Sequence, residues 1–290
     1  MNTSMIEIKG VTKHYQKFSL GPIDLQVEEG TALAVVGTNG SGKSTFFRML
    51  MNLLQADSGS IQYFGDSMTE KETDIKREIG YAGELLEPFG NYTIKELSSL
   101  ISYWYPSWDH QYCKLLVERY SIDEEKKFEK CSKGTKKKVE FIFSICHDAK
   151  ILLLDEPSAG VDIISQRKMK EDLMQYMEAG DKSLILATHN NDEVKQLCDY
   201  IAILDQGKII TTFEKDEIYN KWARLWISDL PEALKNHPHV MKVEEAPFQI
   251  VTDDVSVMER ELEDAGISIS HRNRLSIEEV IEFIITRGKI

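Results

Sequence analysis

Short apolar runs of strand length alternate with longer amphipathic stretches along most of the chain, the pattern of a sheet with helices packed on it. The apolar runs predict strands at 6–11, 20–27, 33–36, 61–64, 151–154, 184–187 and 201–204. From about 85 to 150 that signal vanishes. Thr93 and Glu96 are spaced there as a capping box that opens a helix, and the segments that follow read as helical. A helical subdomain inserted into an α/β core is therefore expected. The core pattern ends near Gly207, and an amphipathic bridge follows. After it the order is strand 241–243, strand 249–251, helix 255–264, strand 267–270 and helix 277–286. That is a small α+β module, so the expected domains are 1–213 and 214–290, without internal repeats or a low-complexity linker.

Composition narrows the partners. A chain of 290 residues can hold one large α/β domain and a smaller appendage. The formal net charge of −13 disfavours nucleic acid, whose phosphates need a positive face. Cys113, Cys131, Cys146 and Cys198 are scattered with no CxxC pair, which fits reduced cytosolic thiols better than a disulfide frame or a zinc site. The first ten residues lack the apolar core of a signal peptide, and no apolar run approaches the roughly 20 residues of a membrane span. Service to a membrane would have to pass through a partner.

The chemistry begins where the predicted strand 33–36 runs into Gly37-Thr38-Asn39-Gly40-Ser41-Gly42-Lys43-Ser44-Thr45, which satisfies GxxxxGK[ST] and leads into a helical pattern over 44–54. Glycines let backbone N–H groups turn inward onto phosphate oxygens, and the helix N-terminus adds partial positive charge. Lys43 would reach the β- and γ-phosphates of ATP, and the Ser44 hydroxyl would ligate Mg²⁺. The strand 151–154 ends in Asp155-Glu156. Alone this is a common strand exit. Beside a phosphate cradle, Asp155 would hold Mg²⁺ through water and Glu156 would take the proton of the attacking water.

Between these halves lies Cys131-Ser132-Lys133-Gly134-Thr135, which resembles the signature motif of ABC-family ATPases, usually LSGGQ, at the family's spacing before the acidic strand; Ser132 and Gly134 agree with it. Ser158-Ala159-Gly160-Val161-Asp162 is similar to the D-loop, and Ala187-Thr188-His189 to the switch-histidine loop. Tyr15 matches the aromatic that stacks on adenine, although edge-strand packing would suit a lone tyrosine as well. Ile79 to Glu84 occupies the Q-loop, with glutamate where most relatives carry glutamine. The resemblance covers about residues 5 to 213.

It implies a P-loop NTPase core of ABC ATPase type that binds ATP and Mg²⁺ and hydrolyses ATP. Glu156 and His189 would be catalytic, and Ser44, Glu84 and Asp155 would serve the metal. Tyr15 and residues Gly37 to Thr45 would hold the nucleotide, with Ser132, Lys133, Gly134, Thr135 and Asp162 completing it across a head-to-tail dimer of identical or pseudo-symmetric subunits. A separate transmembrane subunit, no nucleic acid and a cytoplasmic place on the inner face of the membrane follow from the same resemblance. Tyr105-Pro106-Ser107-Trp108-Asp109, Glu84 and Lys133 together resemble a branch of bacterial exporter ATPases similar to that of the staphylococcal phenol-soluble modulin exporter, which implies peptides or other amphipathic cargo.

The rival readings are weaker. A soluble ATPase of ribosomes or DNA would favour tandem P-loops or heptad arms, and a binding module without turnover would not need Glu156 and His189. No NKxD element points to GTP. The run Lys136-Lys137-Lys138 reads as a solvated helix face rather than a nucleic-acid patch, and Trp104 to Trp108 as either a docking surface or subdomain core.

Overall fold

The computed structural model describes residues 4–245 and 247–287, and the chain divides into two compact units with the boundary between Thr212 and Phe213. The first unit holds two sheets. In the antiparallel one, Ser4–His14 lies between Ser19–Glu28 and Ser58–Tyr63, with Asp66–Ser67 at the edge. Along Ser19–Glu28 the residues Ile23, Leu25 and Val27 are buried and alternate with exposed Pro22, Asp24 and Gln26, the signature of a sheet with one covered face.

The second sheet has the order Lys208–Glu214, Tyr200–Asp205, Ala32–Val36, Ser183–Ala187, Ile151–Asp155, Ile79–Ala82. Every residue of Ala32–Val36 and Ser183–Ala187 is buried, as expected of parallel strands covered on both faces. The helix Lys43–Leu50 places Phe46, Phe47, Met49 and Leu50 in one cluster with Ile8 and Ile23 of the antiparallel sheet and with Leu33, Val35 and Leu153 of the parallel one. Each such buried side chain contributes about 1.5–3 kcal/mol, so the element that follows the P-loop is fixed by core packing.

Parallel pairing sets the position of the site. The registers Val35↔Ala187, Asp155↔Ala187 and Ala82↔Leu154 bring the carboxyl ends of four strands to one edge of the sheet. The segments leaving those ends carry Gly37, Glu84, Glu156 and His189, and the crevice outside strand carboxyl ends is where open α/β sheets bind ligands.

Helices Ile94–Ser102, His110–Arg119 and Lys133–Ile145 occupy the stretch where the strand signal vanishes. The capping box forms: Thr93 Oγ1 accepts from the Glu96 N–H at 3.2 Å, and the Glu96 carboxylate accepts from the Thr93 N–H at 2.7 Å. The second unit has its own antiparallel sheet, ordered Val240–Glu245, Phe248–Thr252, Ala223–Ile227, Ile269–Arg274. Helix Val255–Asp264 packs Val255, Met258 and Leu262 into a core with Leu225 and Ile250. The strand Ala223–Ile227, central to that sheet, falls in the segment that sequence analysis reads as an amphipathic bridge.

Candidate functional site

The loop after Val36 is shaped by close contacts. A Cβ on Gly37 would lie 2.0 Å from the Leu204 carbonyl oxygen, so only glycine fits there. Gly42, at φ 110°, caps the helix Lys43–Leu50 in a left-handed conformation with no side-chain hydrogen bond, which leaves the first N–H groups of the helix open. Lys43 is buried; its Nζ donates to the Gly37 carbonyl at 2.8 Å and the Thr38 carbonyl at 3.3 Å. Burial lowers the proton affinity of this ammonium, and the charges of Glu156 and Asp155 work against that.

Asp155 ends the strand Ile151–Asp155. Burial pushes its carboxyl up, opposed by a hydrogen bond from Ser44 and by the charge of Lys137. Its Oδ1 is buried without a hydrogen-bond partner, as is Ser41 Oγ. An orphan carboxylate oxygen beside a serine hydroxyl is a hard oxygen set that fits Mg²⁺. Glu156 follows with φ 51°, its N–H held by the Ala187 carbonyl at 2.9 Å. Its Oε1 lies 3.1 Å from His189 Nε2, and the same nitrogen lies 3.1 Å from Lys43 Nζ. One ring nitrogen can donate to Glu156 or accept from Lys43, not both, so a single proton decides which neighbour His189 serves.

Glu84 also has a left-handed backbone, φ 61°, uncommon for a side chain of this size. A third carboxylate close to Asp155 and Glu156 would meet repulsion unless a cation answered it. The structure places a lysine among them: Lys137 Nζ donates to the Asp155 carbonyl at 3.2 Å and lies 3.9 Å from Glu84 Oε1. The expectation of a solvated lysine face is thereby corrected. Three consecutive helical positions point about 100° apart, and each ammonium meets a different acid: Lys136 pairs with Glu87, Lys137 with Glu84, Lys138 with Asp162. Sequence reasoning missed Lys137 because its acidic partners are distant in sequence.

Ser132 caps the helix Lys133–Ile145, its Oγ accepting from the Thr135 N–H at 3.1 Å. Asp162 caps Ile163–Met177 in the same way through the Ser165 N–H at 2.9 Å. A Cβ on Gly134 would stand 2.4 Å from the Gly160 carbonyl oxygen, so the two segments touch backbone to backbone. Among the described residues no hydrogen bond or ion pair runs from residues 132–135 or from Asp162 to residues 37–45. Tyr15 is exposed and tilted against Phe18, whose ring borders the Cβ direction of Gly42. The aromatic stretch divides: Trp104 is exposed, Trp108 is buried against Phe143, and Tyr105 packs on His147.

Residues 20–159 match the model of the ABC transporter family. The ABC transporter ATP-binding protein YtrB of Bacillus subtilis is 28% identical over 76% of this chain and 76% of its own. An uncharacterized ABC transporter ATP-binding protein of Alkalihalophilus pseudofirmus is 30% identical over 73% of this chain and 81% of its own. A solved ATP-binding subunit of an ABC transporter shares the fold, with a TM-score of 0.67 at 22% identity over 74% of this chain and 91% of that one. With a phosphate loop, an acidic strand end and a histidine converging at one sheet edge, and relatives matching through that region, this chain belongs to the ABC transporter family as an ATP-binding ATPase subunit.

Proposed function

We propose that this chain powers a membrane exporter of peptides or other amphipathic cargo, working as a head-to-tail dimer beneath a separate transmembrane subunit on the cytoplasmic face. The observation that carries the nucleotide reading is the convergence of Lys43, His189 and Glu156 within 3.1 Å steps, next to an unpartnered Asp155 oxygen. Lys43 exchanges its loop carbonyls for the β- and γ-phosphates of ATP. Ser44 and Asp155 would hold Mg²⁺, which would supply positive charge against the phosphates. Once Lys43 turns to phosphate, His189 keeps Glu156 as its partner. That contact orients the Glu156 carboxylate to accept the proton of the attacking water. Tyr15 offers a flat apolar face to adenine.

Export rather than import rests on the resemblance carried by Glu84, Lys133 and residues 105–109; relatives are named for osmoprotectant import as well as daunorubicin resistance. A cleft of about 360 Å³ lined by Leu85, Phe89, Trp104, Tyr105 and Phe143 adjoins the Glu84 loop and suits an apolar helix end of the membrane subunit. The test is to co-purify the chain with the membrane protein encoded beside its gene and reconstitute both in vesicles. ATP-dependent loss of cargo from the ATPase side supports the reading. Accumulation on that side overturns export. Lys43→Ala should abolish binding of fluorescent ATP, and unchanged affinity would remove the P-loop from the proposal.

A further inference from the structure

Lys137 is buried on a helix whose neighbouring positions Val139, Phe141 and Ile142 belong to the core. An ammonium in such a place is costly unless its charge and its protons are answered. The Asp155 carbonyl answers one proton, and the carboxylates of Glu84, Asp155 and Glu140 face the charge, Glu84 as the exposed one, 3.9 Å away. One turn further along, buried Glu140 lies against the main chain at Glu84 and Leu86. The helix therefore meets the same loop residue twice, Lys137 at its carboxylate and Glu140 beside its backbone. Glu84 in turn brings a charge that glutamine would not, on the loop that leaves the strand paired with Ile151–Asp155.

We propose that Glu84 and Lys137 are a matched pair, in which Lys137 is a positioning residue that neutralises Glu84 and ties its loop to the end of the acidic strand. The pair lets a carboxylate stand at the metal side of the site without repelling nucleotide. This rests on the nucleotide reading above. Removing only the lysine leaves an unanswered carboxylate facing the triphosphate. Removing both charges restores the balance with a glutamine in the loop.

The experiment is a double-mutant cycle on the full chain, read by fluorescent ATP binding in EDTA and by the thermal midpoint of the nucleotide-free protein. Lys137→Gln should weaken binding by about tenfold, and Glu84→Gln/Lys137→Gln should return it to within about threefold of the parent. Lys137→Arg, which keeps the charge, should also stay within about threefold. Equal loss from Lys137→Gln whether residue 84 is Glu or Gln would overturn the pairing. Should Lys137→Gln fail to fold, the double variant and Lys137→Arg still decide: failure of either to bind ATP sinks the proposal. The parent and Lys43→Ala serve as controls. ATP binding that ignores Lys43→Ala defeats the nucleotide reading, whereas binding that needs Lys43 beside an additive cycle defeats only the pair.

Discussion

Around the P-loop, polar groups are left open: Ser41 Oγ and Asp155 Oδ1 are buried without partners, the helix at Lys43 has no side-chain cap, and Lys43 is folded back on its own carbonyls. Around the signature segment and the D-loop they are closed. Ser132 and Asp162 each cap a helix, Lys136 and Lys138 are paired, and Gly134 lies against the Gly160 carbonyl. Open buried groups are a standing cost in the free protein that a bound ligand can remove. Closed groups already have partners within the chain, so the single chain gains nothing from a ligand there. The departures from LSGGQ follow this division. Cys131, Lys133 and Thr135 differ from the pattern, while Ser132 and Gly134, the cap and the close approach, agree with it.

The largest effect should come from the open side. Glu156→Gln keeps the shape and the partner His189 but loses the proton acceptor, so ATP turnover should fall on the order of 10²-fold or more with ATP binding unchanged. Steady-state phosphate release and equilibrium binding are the two measurements. A parental rate would show that Glu156 is not the base.

Next comes the closed side, where stability should respond before nucleotide affinity does. Gly134→Ala drives a Cβ to 2.4 Å from the Gly160 carbonyl oxygen, and the backbone must part to admit it. Overpacking of this kind costs about 1–3 kcal/mol, visible as a lower thermal midpoint with binding of ATP to the single chain preserved. Ser132→Ala should cost about 1 kcal/mol through the lost cap, and Ser132→Asn should recover most of it. Midpoints that stay put in both variants would mean the signature segment is not held as described, and the contrast with the P-loop would collapse.

Much of the open side was legible in the chain itself, because it is local. Residues 37–45 form one uninterrupted motif, and Asp155-Glu156 ends one apolar run. The closed side was legible only in part. Lys137 reads as one of three like residues on a helix, and nothing nearby in sequence reveals that Glu84 lies 3.9 Å from its ammonium. The strand Ala223–Ile227 was missed for the same reason. Its buried positions alternate over only five residues, and its partners Phe248–Thr252 and Ile269–Arg274 come later in the chain. Non-local pairing leaves little trace in a short pattern.

The smallest expected effect lies where the two regions meet. Glu193 is buried and accepts hydrogen bonds from Thr188, beside His189, and from Ser158, at the start of the D-loop. Burial raises its carboxyl above the ordinary value of 4.5, and the two hydroxyls and the charge of Lys170 pull the other way. The folded chain thus holds this proton more tightly than the unfolded chain does. Its contribution to stability is full below the ordinary value and is lost as pH rises through the folded one, so at neutral pH the charge is a net cost. Glu193→Gln keeps an acceptor for one hydroxyl and presents an N–H to the other. The midpoint of the variant relative to the parent should therefore climb between acid and neutral pH, reaching a gain of under about 1 kcal/mol. Other buried acids such as Glu140 and Asp172 are common to both proteins and drop out of the difference. A difference that is flat with pH would place Glu193 outside the linkage. A variant that grows less stable toward neutral pH would show that the two hydroxyls outweigh burial, and that the junction belongs with the closed side.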